Sequence, residues 1–162
     1  MRGFTLIELL IVLGIAGIFV AVSAGSYTAL RQRSSLELVM REVQSVFNLA
    51  RDRTLASEGS QSFGLYINSV NREYFLFPGA TYVLGNPENE RFVIPADITV
   101  DTPQLQGGGN EVIFQRLSGS TAQFGRVTFR DTADVTRTLT LCVFFTGIVQ
   151  INLISYCGEQ PF

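Results

Sequence analysis

Residues 4–22 form a run of nineteen in which Glu8 is the sole charge. Thr5, Gly14 and Gly17 are its only other members that are neither aliphatic nor aromatic. As a helix the run spans roughly 29 Å, about one hydrocarbon thickness. Such a segment is covered by lipid or by other apolar helices. An acid at the centre of a membrane helix costs about 2.5–3.5 kcal/mol on insertion scales. Any account of this chain has to explain Glu8.

Three readings compete. A cleaved secretory signal finds small residues at Val22-Ser23-Ala24, with a new terminus at Gly25. Its apolar core, however, exceeds the usual ~7–15 residues. A plain anchor fits the length and leaves Glu8 unexplained. Arg2 on one side against Arg31 and Arg33 on the other gives it no clear orientation. The third is a trimmed anchor. The stretch Gly3-Phe4-Thr5-Leu6-Ile7-Glu8 before an apolar helix resembles the class III signal of type IV pilins and type II secretion pseudopilins. In that family a prepilin peptidase cuts after the glycine and methylates the new amine. The resemblance implies cleavage between Gly3 and Phe4, N-methylation of Phe4, and an assembly role for Glu8. A buried carboxylate is tolerated when it pairs with a buried cation. The amine of the same chain lies ~6 Å away along the helix axis. A neighbouring subunit's amine can come alongside, so Glu8 sets the axial register of the subunits. The alternative is that Glu8 simply sits at the headgroup level.

Composition narrows the chemistry. The sequence has no His, which removes Ser-His and Cys-His nucleophilic arrangements. Its twelve basic residues are all Arg, and net charge is −2, so bulk charge does not point to nucleic acid. Gly107-Gly108-Gly109-Asn110 lacks the Lys-Ser/Thr of a phosphate loop and reads as a flexible surface loop. Asp97, Asp101, Asp131 and Asp134 lack the spacing of a recognised metal loop. No cofactor, metal site or catalytic residue is expected, and the chain is not read as an enzyme. Gathering of Arg116, Arg126, Arg130 and Arg137 on one face is the remaining route to nucleic acid.

Helical signals continue past the apolar run. Leu36, Val39, Met40, Val43, Val46, Phe47 and Ala50 recur at three- and four-residue steps, giving one apolar face. Glu37 and Arg41 stand four apart in the favourable order. Glu58-Gly59-Ser60 supplies a stop. One helix over roughly 5–57 follows, apolar all round in its first half and amphipathic in its second. Ser34 and Glu37 have capping-box spacing, which also permits a break within 25–35. Gly14 and Gly17 weaken the helix by ~1 kcal/mol each. Beyond it come about seven strand-like runs: SFGLYIN and REYFLFPG as a hairpin, then DITVD, EVIFQRL, RVTFRD, TRTLTLCVFF and IVQINLIS. LGNPENERFVIPA and TPQLQGGGN read as irregular. The expected fold class is α+β, a long N-terminal helix packed on a small antiparallel sandwich or sheet pair.

The later segments VIFQRLSGSTAQFGRVTF and RTLTLCVFFTGIVQI are similar in spacing to the GspH/FimT group of minor pilins and pseudopilins, chiefly at Phe114, Gly119 and Gly147. The resemblance implies a leader at 1–3, a transmembrane or filament-core helix at 4–27, an amphipathic half at 28–58 and a β-rich head at 59–162. It implies a single-pass protein of the cytoplasmic (inner) membrane with its head on the extracytoplasmic, periplasmic side. Its partners are then prepilin peptidase and other pilins or pseudopilins in a filament. An oxidising compartment lets Cys142 and Cys157 form a disulfide if the tail folds back. The alternative is two separate thiols. Some FimT-like members bind DNA through a basic, glycine-rich tail. Residues 155–162, SYCGEQPF, have no Arg, so nucleic acid is not expected as a partner. The implied function is a structural subunit of a type II secretion pseudopilus, GspH-like. The alternatives are a FimT/FimU-like minor pilin of a type IV pilus and, from another class, a membrane-tethered or secreted adhesive or DNA-binding module.

Overall fold

A computed structural model describes residues 5–152 and Cys157, leaving out the side chains of 21–34. The first element is α1, Leu6–Leu55. The helix carries no interruption within 25–35. The chain divides into two compact units, Met1–Ser35 and Leu36–Phe162.

In the first unit the described side chains from Thr5 to Val20 are all exposed. Thr5 caps the helix: its Oγ1 accepts the Glu8 N–H at 3.4 Å, and its carbonyl accepts the Leu9 N–H at 3.3 Å. Glu8 therefore lies in the first turn, where a carboxylate faces the positive end of the helix dipole. Nothing lies within 4 Å of where a Cβ would stand on Gly14 or Gly17.

In the second unit the apolar stripe of α1 is buried as its spacing predicts. Leu36, Val39, Met40, Val43, Val46, Phe47 and Ala50 all belong to one core. Each fully buried large apolar side chain stabilises by about 1.5–3 kcal/mol. Glu37 and Arg41, expected to pair, form no ion pair among the described residues.

Nine strands follow among the described residues: β1 Phe63–Asn68, β2 Glu73–Pro78, β3 Glu90–Val93, β4 Ile98–Val100, β5 Gln104–Leu105, β6 Glu111–Ile113, β7 Gly125–Asp131, β8 Thr138–Val143 and β9 Val149–Asn152. They make two antiparallel sheets. One has the order β3-β2-β1-β6; the other runs β4-β7-β8-β9, with β5 continuing the β4 side of β7. Leu65, Ile67, Tyr74 and Leu76 of the first sheet join Val127, Phe129, Leu139, Leu141 and Val143 of the second in the same core. Phe47 of α1 meets Phe114 edge-on at 6.5 Å. This is the expected α+β architecture.

Three local expectations need correction. The LGNPENERFVIPA stretch contains β3, whose residues pair with β2 from Leu76↔Glu90 to Glu73↔Val93. The TPQLQGGGN stretch contains β5. The EVIFQRL run is strand only as far as Ile113. Its second half turns, with Gln115 N–H donating to Ser120 O, Gly119 N–H donating to Gln115 O, and Leu117 at φ 72°. In the β8–β9 hairpin Cys142 pairs with Gln150. The turn sets this register. Phe144 O accepts the Gly147 N–H, and Ile148 O accepts the Phe144 N–H, a three-residue loop with a left-handed glycine. Gly147 has φ 76°, and a Cβ there would run into Gly119 O.

Candidate assembly surface

Gly3 and Phe4 lie outside the described residues. Glu8 lies on the described helix and is exposed, as are the residues beside it: Leu6 is 79% and Leu9 58% exposed. These apolar side chains stand exposed among the described residues, a surface of the kind that another apolar partner covers. Among the described residues no helix is long and apolar enough to cross a membrane. The described side chains of the apolar run stop at Val20.

Local structure accounts for part of Glu8. A carboxylate in a first helical turn gains about 0.3–1 kcal/mol from the dipole. That is less than the cost of ~2.5–3.5 kcal/mol for an acid deep in hydrocarbon. Capping alone does not offset a cost of that size.

The head ends in a covalent tie. Cys142 of β8 is bonded to Cys157, with Cα atoms 5.5 Å apart. Cys142 points away from the core that its neighbours Leu141 and Val143 enter, so the bond holds Cys157 on the outer face of the second sheet. Asn152 Nδ2 also reaches Cys142 Sγ at 3.5 Å.

Three of the four arginines whose gathering was the remaining route to nucleic acid are engaged one by one. Arg130 pairs with Asp101 at 2.8 Å and Arg137 with Asp131 at 3.5 Å. Arg126 Nε donates to Gln104 Oε1 at 2.6 Å. Arg116 sits apart in the turn after β6. The aspartates serve turns: buried Asp131 accepts the N–H groups of Ala133 and Asp134. No group of three metal-ligating side chains forms among the described residues. Gly107, Gly108 and Gly109 all have positive φ and open space around them, as a surface loop does.

Sequence reasoning missed an aromatic cluster on the outer face of the first sheet. Tyr66 stacks on Tyr82 at 4.2 Å, with Phe75 and Phe77 against the same Tyr82 ring. Alternation along β1 and β2 could have placed Tyr66 opposite Phe75, but Tyr82 arrives from a loop. Beside them Arg91 hydrogen-bonds Glu73, which holds the Glu73 carboxyl below its usual range. On the inner face the Tyr74 hydroxyl is buried close to the Glu42 carboxylate, with no hydrogen bond of good geometry among the described residues. Burial, and then the nearby Glu42 carboxylate, raises its pKa.

Residues 1–24 match the family described as the prokaryotic N-terminal methylation motif. No curated protein matches this sequence. Among solved structures, the minor pseudopilin EpsH from the type 2 secretion system of Vibrio cholerae aligns with TM-score 0.58 at 11% identity, covering 77% of this chain and 99% of its own. The Pseudomonas aeruginosa type IV minor pilin FimU aligns with TM-score 0.57 at 10% identity, covering 76% of this chain and 97% of its own. At such identity the likeness is one of fold. The motif implies a membrane-anchored, filament-associated protein processed by prepilin peptidase. The amino-terminal motif and the fold of the head are thus each similar to those of type IV pilins and pseudopilins.

Proposed function

We propose that this chain is a minor subunit of a type II secretion pseudopilus, in the manner of GspH. Peptidase cleaves between Gly3 and Phe4 and methylates Phe4. Residues 4–27 lie in the inner membrane and then in the filament core, residues 28–58 carry the head, and the head at 59–162 stands on the periplasmic side. Glu8 pairs with the amine of a neighbouring subunit and fixes the axial step. The observation that carries this reading is the exposed apolar helix with one acid in its first turn, joined to a pilin-type head. Co-purification tests it. A secretion subunit is recovered with the secretion ATPase and secretin machinery, and its deletion stops protein export.

The reading as a FimU-like minor pilin of a type IV pilus draws on the near-equal likeness to FimU. Recovery with sheared pili, and loss of piliation without loss of secretion, selects it.

A further inference from the structure

Gln44 does for β9 what a neighbouring strand would do: its side-chain amide donates to Val149 O at 2.8 Å. β9 ends the order of its sheet, so among the described residues one long side of it has no strand. The Phe144–Ile148 turn bond sets the alternation of the ladder. Gln150 and Asn152 aim their backbone groups at Cys142 and Thr140 of β8, while Val149 and Ile151 aim theirs away from it. Gln44 satisfies Val149. The N–H and C=O of Ile151 make no hydrogen bond among the described residues. Next to them a groove of about 570 Å³ opens between α1 and the sheet. Met40, Leu139 and Ile151 give it apolar walls, and Glu37 and Arg41 stand on it as charges without an ion pair among the described residues.

We propose that an extended segment of a different subunit of the assembly adds to this edge as the strand beyond β9. The proposal rests on the filament-subunit reading. One residue offering both a donor and an acceptor outward is met by the backbone of an extended chain, which supplies both at matching spacing. The apolar walls take an alternate side chain of that segment. Glu37 and Arg41 select charges of opposite sign flanking it. A second copy pairing through the same edge would close a symmetric couple in which both β9 edges are used up. A segment from a different subunit carries no such restriction.

Amide hydrogen exchange at Ile151 tests this, comparing the native assembly isolated from cells with the same full chain solubilised in detergent. Incorporation of the chain is scored first. The expected result is exchange at least about tenfold slower in the assembly, together with a cross-link from a benzophenone side chain at position 150 to a peptide of another subunit type. Equal exchange in both preparations of an incorporated chain overturns the proposal and leaves the filament reading standing. So does slow exchange already present in detergent, which assigns the edge to the chain's own tail, or a cross-link to a second copy. Absence of the chain from any filament removes both. Ile151→Pro deletes the donor at an edge position that accepts proline and should abolish the cross-link while the Cys142–Cys157 bond still forms. If that variant misfolds, exchange on the unaltered chain still decides.

Discussion

The Thr54 hydroxyl joins the end of α1 to the first strand: its Oγ1 accepts the Phe63 N–H at 2.9 Å and donates to Ala50 O at 2.8 Å. Both groups are buried, and Thr54 is 0% exposed. Thr54→Ala leaves the Phe63 N–H without a partner. The expected loss is about 1–3 kcal/mol, read as a lower midpoint in urea unfolding of the solubilised chain. Thr54→Ser should recover most of it. An unchanged midpoint in the alanine variant would show that the bond adds nothing.

The disulfide closes a loop of 15 residues. In the chain-entropy model such a loop stabilises by about 3 kcal/mol. Exported protein should show no free thiol by mass spectrometry under non-reducing conditions. Cys157→Ser should unfold at lower urea by an amount in that range. Two free thiols in the native protein would remove the bond from the account.

The Glu73–Arg91 pair gives stability a direction in pH. The hydrogen bond from Arg91 lowers the Glu73 pKa in the folded chain from 4.5. A lowered folded pKa stabilises above the unfolded value and loses its effect as pH falls through the folded one. Stability should therefore drop as pH falls below about 4.5, and Arg91→Ala should flatten that part of the profile. The pair is exposed, so the change is small. A variant profile identical to the parent's would assign the acid loss to other carboxylates.

Much of the head was legible in sequence because burial imposes a period. The helix stripe from Leu36 to Ala50 and the alternation in β1, β7 and β8 each report one covered face. What escaped follows other physics. β3 bears Glu90 and Arg91 and sits between Pro87 and Pro95, which is how an edge strand guards itself and also how a loop reads. β5 is too short to show any period. Leu117 at φ 72° is a conformation that a leucine does not advertise, so β6 was read too long. Thr54 looked like one more polar helix residue because its partner, the Phe63 N–H, belongs to the backbone. At the amino terminus the position was reversed: the motif around Gly3, Phe4 and Glu8 was the clearest signal in the sequence, while Gly3 and Phe4 fall outside the described residues.

Glu8→Ala separates insertion from assembly. Capping by Thr5 survives the change, since its hydroxyl bonds the residue 8 backbone N–H. The variant should insert and be trimmed as the parent is, yet appear in filaments at a small fraction of the parent's level when sheared fractions are blotted. Incorporation at the parent's level would mean that no neighbouring cation depends on this carboxylate.

The mature amino terminus is the most direct test of the whole account. Intact-mass and terminal-peptide mass spectrometry of the native protein should find a chain that begins at N-methylated Phe4. A chain that retains Met1-Arg2-Gly3, or one that begins at Gly25, would contradict it, because no trimmed amine would then exist to meet Glu8.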